Sequence, residues 1–337
     1  PFVKIIIDAM SGDNAPQAQV SGCVQAAKEF GQEYILVGQE AVLRDLLAKE
    51  QAENLPITIH DAQEIIDMHD DPATAVRRKK DASMSVALRM MKDGEADAMI
   101  SAGNTGALLS GATLVTKRIR GIRRAALPTQ LPCKGGHVLL IDSGANVECT
   151  EEYLLQFAFM GSFYMEKVMG VKNPRVGLVN SGAEDTKGDP LRKAAYDVLK
   201  AAGDAGRINF VGNVEGSDIP NGACDVAVTD GFTGNILLKT VEGVAGFLMG
   251  TLKDVFLTSA RTKLAYLLVK PAMGGLKKMM SSKEVGGAPF LGISKPVFKA
   301  HGSSDAYAIR SAVKQAIAYV NADVVGEIQR NIDNMTL

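Results

Sequence analysis

The stretch AHGSSD, Ala300–Asp305, follows the extended run Lys295–Lys299 and precedes a helical pattern that begins near Ala306. It gathers two hydroxyl groups, a glycine and free backbone amides at the start of a helix. Exposed N–H groups and the helix dipole favour an anion at such a position. Serine and aspartate also cap ordinary helices, so one stretch of this kind is weak evidence for a binding site.

The same arrangement, a short apolar run followed by a small polar loop, recurs four times in the chain. The four loops are Gly103–Gly106, Asp142–Asn146, Asn180–Gly188 and Asp230–Asn235. In α/β folds, ligands gather beyond the carboxyl ends of parallel strands. The repetition therefore predicts one cleft that is built from several loops and suited to a phosphate-bearing ligand.

Short β-rich runs alternate with helical patterns along most of the chain, which predicts an α/β fold with a largely parallel sheet between two helical layers. The predicted strands are Val3–Ile7, Tyr34–Val37, Ile57–His60, Ala98–Ser101, Ala126–Leu131, His137–Ile141, Val176–Val179, Ile208–Val211 and Asp225–Thr229. The predicted helices include Pro16–Phe30, Glu40–Lys49, Pro72–Arg78, Ser83–Lys92, Thr105–Arg118 and Glu151–Val168. Asp189 as N-cap and Pro190 as the first helical residue mark a further helix start.

The alternation breaks at about 236–283. Two long apolar helices are predicted there, near Ile236–Leu257 and Leu264–Met280. Pro271 and the glycine pair 274–275 are expected to interrupt the second helix, because proline removes a backbone donor.

The composition is that of an ordinary globular protein, with 337 residues, 46% hydrophobic and 22% charged residues and a net charge of −1. This balance argues against a nucleic-acid partner. No linker is evident, so we expect one α/β catalytic unit, 1–337, whose protruding helical pair serves dimer and membrane contact.

The cysteines are widely spaced and form no C-x-x-C pair, which argues against a zinc site and favours a reducing cytoplasm. They are Cys23, Cys133, Cys149 and Cys224. The N-terminal residues read as a strand and not as a leader, so we expect no signal peptide. No apolar run approaches the ~20 residues that a spanning helix needs.

Standard signatures of a dinucleotide fold, a P-loop, an α/β-hydrolase or a zinc protease are absent from the sequence. Lys187 shares its loop with Glu184 and Asp185, so it is either a surface ion pair or a cation aimed at phosphate or a developing oxyanion. His301 is either a general base or a hydrogen-bond donor at the helix start.

Three aspartates end predicted strands: Asp8, Asp142 and Asp230. Carboxylates at strand ends can hold Mg²⁺. The commoner role of such residues is to hold loop amides through hydrogen bonds.

Two basic runs stand out, 77–80 and 117–124, with Arg77 and Arg78 in the first and Arg123 and Arg124 in the second. Each is either a solvated surface or a docking site for an acidic protein or an anionic membrane.

The apolar run 264–269 is flanked by Lys263 and Lys270. It is either a core or dimer contact or a hydrophobic tip that enters a bilayer interface. The candidate membrane residues are Leu264, Leu267, Leu268 and Val269.

Five motifs together resemble phosphate acyltransferase of bacterial phospholipid synthesis. They are DAMSGD at 8–13, SAGNTGA at 101–107, DSGAN at 142–146, TDGFTGN at 229–235 and KAHGSSD at 299–305. The resemblance covers nearly the whole chain in order. The family has glycine where Ser11 stands, and serine is small enough to keep the loop.

The resemblance implies that inorganic phosphate attacks the thioester of a long-chain acyl carrier protein. Acyl phosphate is then the product, and it feeds a membrane glycerol-3-phosphate acyltransferase. The implied fold is similar to isocitrate and isopropylmalate dehydrogenases and to phosphotransacetylase. The family forms homodimers, needs no metal or nucleotide cofactor, and associates peripherally with the membrane.

Phosphate is already a nucleophile, so the protein needs to position it and to stabilise the tetrahedral oxyanion. The candidate phosphate-binding residues are Asn104, Thr105, Gly106, Ser303 and Ser304. The candidate catalytic residues are Lys187, Asn180 and Asn235 for the oxyanion, and His301 for orienting phosphate or moving a proton.

Other readings remain open at this point. The chain is alternatively a phosphotransacetylase that uses coenzyme A, or a decarboxylating dehydrogenase on the same fold. A third reading is a non-catalytic scaffold that binds an acyl carrier and a membrane, although a scaffold has no need of polar loops at five strand ends.

Overall fold

The computed structural model describes residues 2–279 and 282–336. The strands are β1 (Lys4–Asp8), β2 (Glu33–Gly38), β3 (Ile57–Asp61), β4 (Ala98–Ser101), β5 (Thr129–Cys133), β6 (Gly136–Ile141), β7 (Arg175–Val179), β8 (Asn209–Val214), β9 (Val226–Val228), β10 (Gly287–Pro289) and β11 (Val297–Ala300). The helices are α1 (Gln17–Phe30), α2 (Glu40–Lys49), α3 (Ala75–Arg78), α4 (Ser83–Asp93), α5 (Thr105–Gly111), α6 (Glu151–Lys167), α7 (Pro190–Asp204), α8 (Gly231–Leu257), α9 (Ala260–Met279), α10 (Ala306–Asn321) and α11 (Val324–Arg330).

The α/β prediction is confirmed, and the strands are divided between two sheets. A six-stranded sheet has the order β10-β11-β4-β1-β2-β3, and a five-stranded sheet has the order β5-β6-β9-β7-β8. Every strand pair is parallel except the edge pairs β10–β11 and β5–β6. The polar loops that follow the parallel strands therefore cluster at the carboxyl edge of each sheet.

One hydrophobic core connects the two sheets. The rings of Tyr164 on α6 and Tyr319 on α10 lie 6.3 Å apart, and Tyr319 meets Phe298 of β11 edge-on at 5.5 Å. All three side chains are almost fully buried. Burying each large apolar side chain contributes about 1.5–3 kcal/mol, so this contact helps to fix the orientation of one sheet against the other.

The predicted start of α7 is confirmed, whereas the predicted end of the helix 105–118 is not. Asp189 caps α7 as predicted, because its carboxylate accepts from the backbone N–H of Arg192 at 2.8 Å, and Pro190 is the first helical residue. The predicted helix 105–118 is shorter, since α5 ends at Gly111 and a π-helical turn continues to Thr116. Lys117 then has a positive φ of 68°, which ends the helical path.

The two predicted apolar helices are present as α8 and α9, and they pack on each other through rings of Phe256 and Tyr266 that lie 5.2 Å apart. The predicted break at Pro271 is wrong, because α9 runs through it to Met279. The carbonyl that proline leaves without a donor lies on an exposed helix, where water can satisfy it. Among the described helices, none combines the length and hydropathy needed to cross a membrane.

Candidate active site

A cavity of about 570 Å³ lies where loops from both sheets meet the first turns of α8. From the first sheet it is lined by Gly103, Thr105, His301 and Gly302, and from the second sheet by Ser143 and Gly144. Asn235 of α8 completes the polar part of the wall. Four of the five loops that the sequence singled out therefore meet in one cleft, as the repetition of the motif predicted.

The end of the first sheet is organised by Asp8, which is fully buried. Its carboxylate accepts hydrogen bonds from the hydroxyls of Ser83 and Ser101, each at 2.6 Å. Burial raises the pKa of Asp8, and the hydrogen bonds from Ser101 and Ser83 oppose this rise. Ser101 in turn accepts from the N–H of Gly103 at 3.2 Å, so Asp8 helps to position the first loop of the cleft.

The loop 103–106 is fixed by close packing. The Asn104 side chain caps α5, because its oxygen accepts from the N–H of Ala107 at 3.1 Å. A Cβ on Gly106 would lie 2.8 Å from the Cβ of Pro72, so only glycine fits there. Thr105 lines the cavity, whereas the Asn104 side chain is buried in the cap beneath it.

The loop 301–305 is tied to the loop after β1. The N–H of Asp13 donates to the carbonyl of Gly302 at 2.8 Å, and the Asn14 amide donates to the carbonyls of Ser303 and Ser304, each at 3.2 Å. Both loops are thus held as one unit at the edge of the first sheet.

Within that loop the two serines have different surroundings. The Ser303 hydroxyl lies 2.9 Å from Nδ1 of His301, which also accepts from the Ser303 N–H at 3.3 Å. The Ser304 hydroxyl is buried and has no hydrogen-bond partner within residues 2–279 and 282–336. An unpartnered buried hydroxyl costs about 1–3 kcal/mol. Ser303 and Ser304 directly follow Gly302 but are not among the residues that line the cavity.

Asp142 performs the corresponding role at the second sheet. Its carboxylate accepts from the backbone N–H groups of Leu127, Ala145 and Asn146 at 3.0, 3.2 and 2.6 Å, and from the Asn146 side chain at 3.0 Å. Burial raises the pKa of Asp142, and these four bonds oppose the rise. The carboxylate thus holds the loop amides at this edge of the cleft.

Asp230 caps α8 and so fixes the direction of Asn235. It accepts from the N–H and the hydroxyl of Thr233, both at 2.9 Å, and from the guanidinium of Arg192. Burial raises the pKa of Asp230, but the Thr233 hydrogen bonds and the Arg192 charge outweigh it and leave the pKa below its usual value. Arg192, which the sequence did not single out, links α7 to this cap.

The structure places Lys187 and Asn180 in a neighbouring loop, outside the residues that line the cavity. The Asn180 amide donates to the Lys187 carbonyl at 3.2 Å. The Lys187 ammonium is half exposed and lies 4.0 Å from Glu184, which is a weak contact for an ion pair. The flexible lysine side chain is therefore not committed to a partner at close range.

The residues singled out for protein and membrane contact lie on the surface. Arg77 and Arg78 end the short helix α3, and both are exposed. Arg123 pairs with Glu152 at 2.9 Å. Arg124 lies over the ring of Tyr153, 5.7 Å from its centroid.

The four apolar residues Leu264, Leu267, Leu268 and Val269 are exposed on α9, and Leu268 is 79% exposed. Leu264 and Leu267 also line a second cavity between α8 and α9.

Lys299 lines the cavity and was not among the candidate residues. It occupies the third position of β11, where its neighbours Phe298 and Ala300 are fully buried. Burial lowers the pKa of Lys299 to about 8, and Asp13 and Asp8 oppose this decrease. The only local signal in the sequence is a lysine next to a buried phenylalanine at the end of an apolar strand.

Within the described ranges, no three His, Cys, Asp or Glu side chains come together in a way that could hold a metal ion. The carboxylate oxygens of Asp8, Asp142 and Asp230 accept hydrogen bonds from the hydroxyl, amide and guanidinium donors named above.

Comparison with known proteins identifies the family. Residues 3–327 match the family model described as "Fatty acid synthesis protein". A phosphate acyltransferase of Clostridium botulinum (strain Loch Maree / Type A3) is 47% identical over 332 residues, which cover 98% of each chain.

Solved structures share the fold at low sequence identity. A phosphotransacetylase from Streptococcus pyogenes superposes with a TM-score of 0.64 at 19% identity, covering 95% of this chain and 94% of that chain. A protein described as a 4-hydroxythreonine-4-phosphate dehydrogenase from Salmonella typhimurium gives 0.54 at 14% identity, covering 94% and 99%. The similarity to phosphotransacetylase and dehydrogenase folds, which the sequence resemblance implied, is confirmed. Matched over almost its whole length, the chain belongs to the phosphate acyltransferase family and is an acyltransferase.

Proposed function

We propose that the protein transfers a long-chain acyl group from the thioester of acyl carrier protein to inorganic phosphate, giving acyl phosphate and free carrier. One observation carries the proposal. The same cleft joins small polar loops from both sheets to an apolar wall formed by Leu127, Leu238, Val285 and Ala288. Phosphate suits the polar half and an acyl chain suits the apolar half.

The polar half supplies what the reaction requires. We assign phosphate binding to Asn104, Thr105, Gly106, Ser303 and Ser304. The unpartnered hydroxyl of Ser304 and the cleft position of Thr105 support this assignment. The nucleophile is phosphate itself, so the protein has to orient it and to exclude water.

Stabilisation of the tetrahedral oxyanion is assigned to Lys187, Asn180 and Asn235. Asn235 faces the cleft, and the half-exposed Lys187 side chain can turn toward a bound anion. Fixed donors of this kind lower the barrier most when they point at the charge that develops. His301, which lines the cavity, is assigned to orienting phosphate.

The carrier protein is proposed to dock on one of the two basic runs. Arg77 and Arg78 are exposed and follow Pro72, which packs against Gly106 of the phosphate loop. Arg123 and Arg124 are exposed as well, but both already contact residues of α6. An acidic partner would be steered to either surface by complementary charge.

We further propose that the protein is a cytoplasmic homodimer that associates peripherally with the membrane through Leu264, Leu267, Leu268 and Val269. Exposed leucines bracketed by Lys263 and Lys270 fit an interface where apolar groups insert and lysines meet anionic headgroups. A membrane glycerol-3-phosphate acyltransferase would then receive the labile product close to the bilayer.

The test is direct. The protein is incubated with an acyl carrier thioester and inorganic phosphate, and acyl phosphate is trapped with hydroxylamine. We expect acyl hydroxamate and free carrier thiol in equal amounts, both dependent on phosphate. Product from the coenzyme A thioester alone would support a phosphotransacetylase instead, and no product from either thioester would support a non-catalytic scaffold.

A further inference from the structure

Lys299 forms part of a row of polar residues that crosses three strands. It is registered with Ser101 of β4, and the preceding residue of β4, Ile100, is registered with Ile7 of β1. Registered residues of parallel strands project from the same face of the sheet, and the 2.6 Å bond from Ser101 to Asp8 extends the row to β1. Asp8, Ser101 and Lys299 therefore lie side by side under the cleft.

The surroundings of Lys299 disfavour a charged side chain without excluding it. Its ammonium donates to the carbonyl of Ala300. The carboxylates that act on it are Asp13 and Asp8, and the pKa of Asp8 is itself raised by burial. The other ionisable groups around the cavity are Lys239 and Glu242 of α8, and His301. Lys299 is thus partly screened from water and open to the cleft on one side.

We propose that Lys299 is the proton-transfer residue of the cleft, donating a proton to the departing thiolate and recovering one from the phosphate. This inference rests on the proposed function. An unprotonated oxygen of HPO₄²⁻ forms the new C–O bond, and the C–S bond breaks with its electron pair on sulfur. The ammonium protonates that sulfur, and the proton left on the acyl phosphate passes to the neutral amine.

The chemistry of the two partners supports this role. A proton donor works best when its pKa lies near that of the group it serves and near the working pH. A cysteine thiol, taken as a guide to the carrier thiol, has a pKa of about 8.5, and burial brings the pKa of Lys299 down to about 8.

The experiment compares Lys299→Met, Lys299→Arg and the control Lys295→Met. Lys295 is the natural control because it precedes β11, at the opposite end of the strand from the cleft. We measure kcat and the KM for phosphate from pH 6 to 10 with the acyl carrier thioester. Circular dichroism verifies that each variant is folded.

In the wild type and in Lys295→Met, kcat is expected to fall as pH rises through about 8, because the ammonium is the active form and it is lost above its pKa. Lys299→Met should lose about 10²–10⁴-fold in kcat together with this alkaline limb. Lys299→Arg keeps the positive charge but does not release a proton, so it should restore the KM for phosphate and leave kcat low. Normal kcat in Lys299→Arg, or an unchanged alkaline limb in Lys299→Met, would overturn the proposal.

A second measurement does not depend on turnover. Protein labelled with ¹³C at lysine Cε is titrated by NMR, and the signal of Lys299 is assigned by its loss in Lys299→Met. We expect this lysine to titrate near 8, whereas a value near that of free lysine would overturn the inference. If the wild type makes no acyl phosphate while Lys299 titrates near 8, the proposed function is wrong, and the lowered pKa of Lys299 still holds.

Discussion

The base of the cleft and the tip of the α8–α9 pair differ in how many partners their side chains have. At the base, Asp142 alone receives hydrogen bonds from four N–H groups, and Asp8 is fully buried between two serines. At the tip, Leu267 and Leu268 are largely exposed. Positions at the base are fixed by many contacts at once, whereas the tip keeps an apolar surface free. Substitutions should therefore affect turnover strongly at the base and weakly at the tip.

The substitution with the largest expected effect lies at the start of α8, which belongs to the base of the cleft. A Cβ on Gly234 would lie 1.9 Å from the carbonyl oxygen of Asp142, a backbone atom that cannot move aside. We expect Gly234→Val to unfold the cleft and to abolish turnover. Gly246→Ala is the matched control on the same helix, because nothing lies within 4 Å of its added Cβ. It should keep full turnover and gain up to about 1 kcal/mol in the free energy of unfolding, measured by urea denaturation.

The residues proposed to bind phosphate or to stabilise the oxyanion should show the next largest effect. Lys187→Ala and Ser304→Ala are each expected to lower kcat by about 10²–10³-fold, the usual result of removing one such donor. Lys193→Ala on α7 serves as control and should leave kcat unchanged. Near-normal kcat in both variants, measured in the hydroxylamine assay, would place the phosphate site elsewhere.

A smaller effect is expected at the two basic runs, whose charges are proposed to steer the partner and to take no part in the chemistry. Reversing Arg77 and Arg78 to glutamate should raise the KM for the acyl carrier thioester several-fold and leave kcat unaltered. The change should shrink at 1 M salt, where the Debye length is about 3 Å. The same reversal at Arg123 and Arg124 also breaks the contact with Glu152, so its thermal stability needs to be measured in parallel.

At the tip, the effect on turnover should be smallest. Leu267→Glu combined with Leu268→Glu is expected to abolish binding to anionic lipid vesicles, measured by co-sedimentation, while soluble turnover and dimer mass stay as in the wild type. A monomeric variant would show instead that these leucines are buried between subunits. Retained vesicle binding would assign membrane contact to another surface.

Local chemistry explains what could be predicted from the sequence. Asp189 and Pro190 act within one helical turn, so the start of α7 was predictable from those residues alone. The shared position of the polar loops was predictable too, because parallel strands bring their carboxyl ends together.

Long-range contacts explain what the sequence did not reveal. The role of Lys299 depends on its register with Ser101, almost two hundred positions earlier in the chain. The division into two sheets, the edge strand β10 and the link from Arg192 to Asp230 depend on tertiary contacts in the same way. The predicted helix break at Pro271 was wrong because the effect of a proline on a helix depends on solvent exposure, which periodicity alone does not specify.

Helix α8 also sets a length scale for the proposed delivery of product to a membrane. It begins at Gly231 in the cleft and runs for 27 residues, about 40 Å at 1.5 Å per residue. The hydrocarbon core of a bilayer is about 30 Å thick and holds two opposed acyl chains, so one chain extends about 15 Å. With α8 upright on a membrane, a fatty chain leaving the cleft would end far above the lipid surface. Direct transfer of product into the bilayer therefore requires the protein to lie on its side, with α8 parallel to the membrane plane.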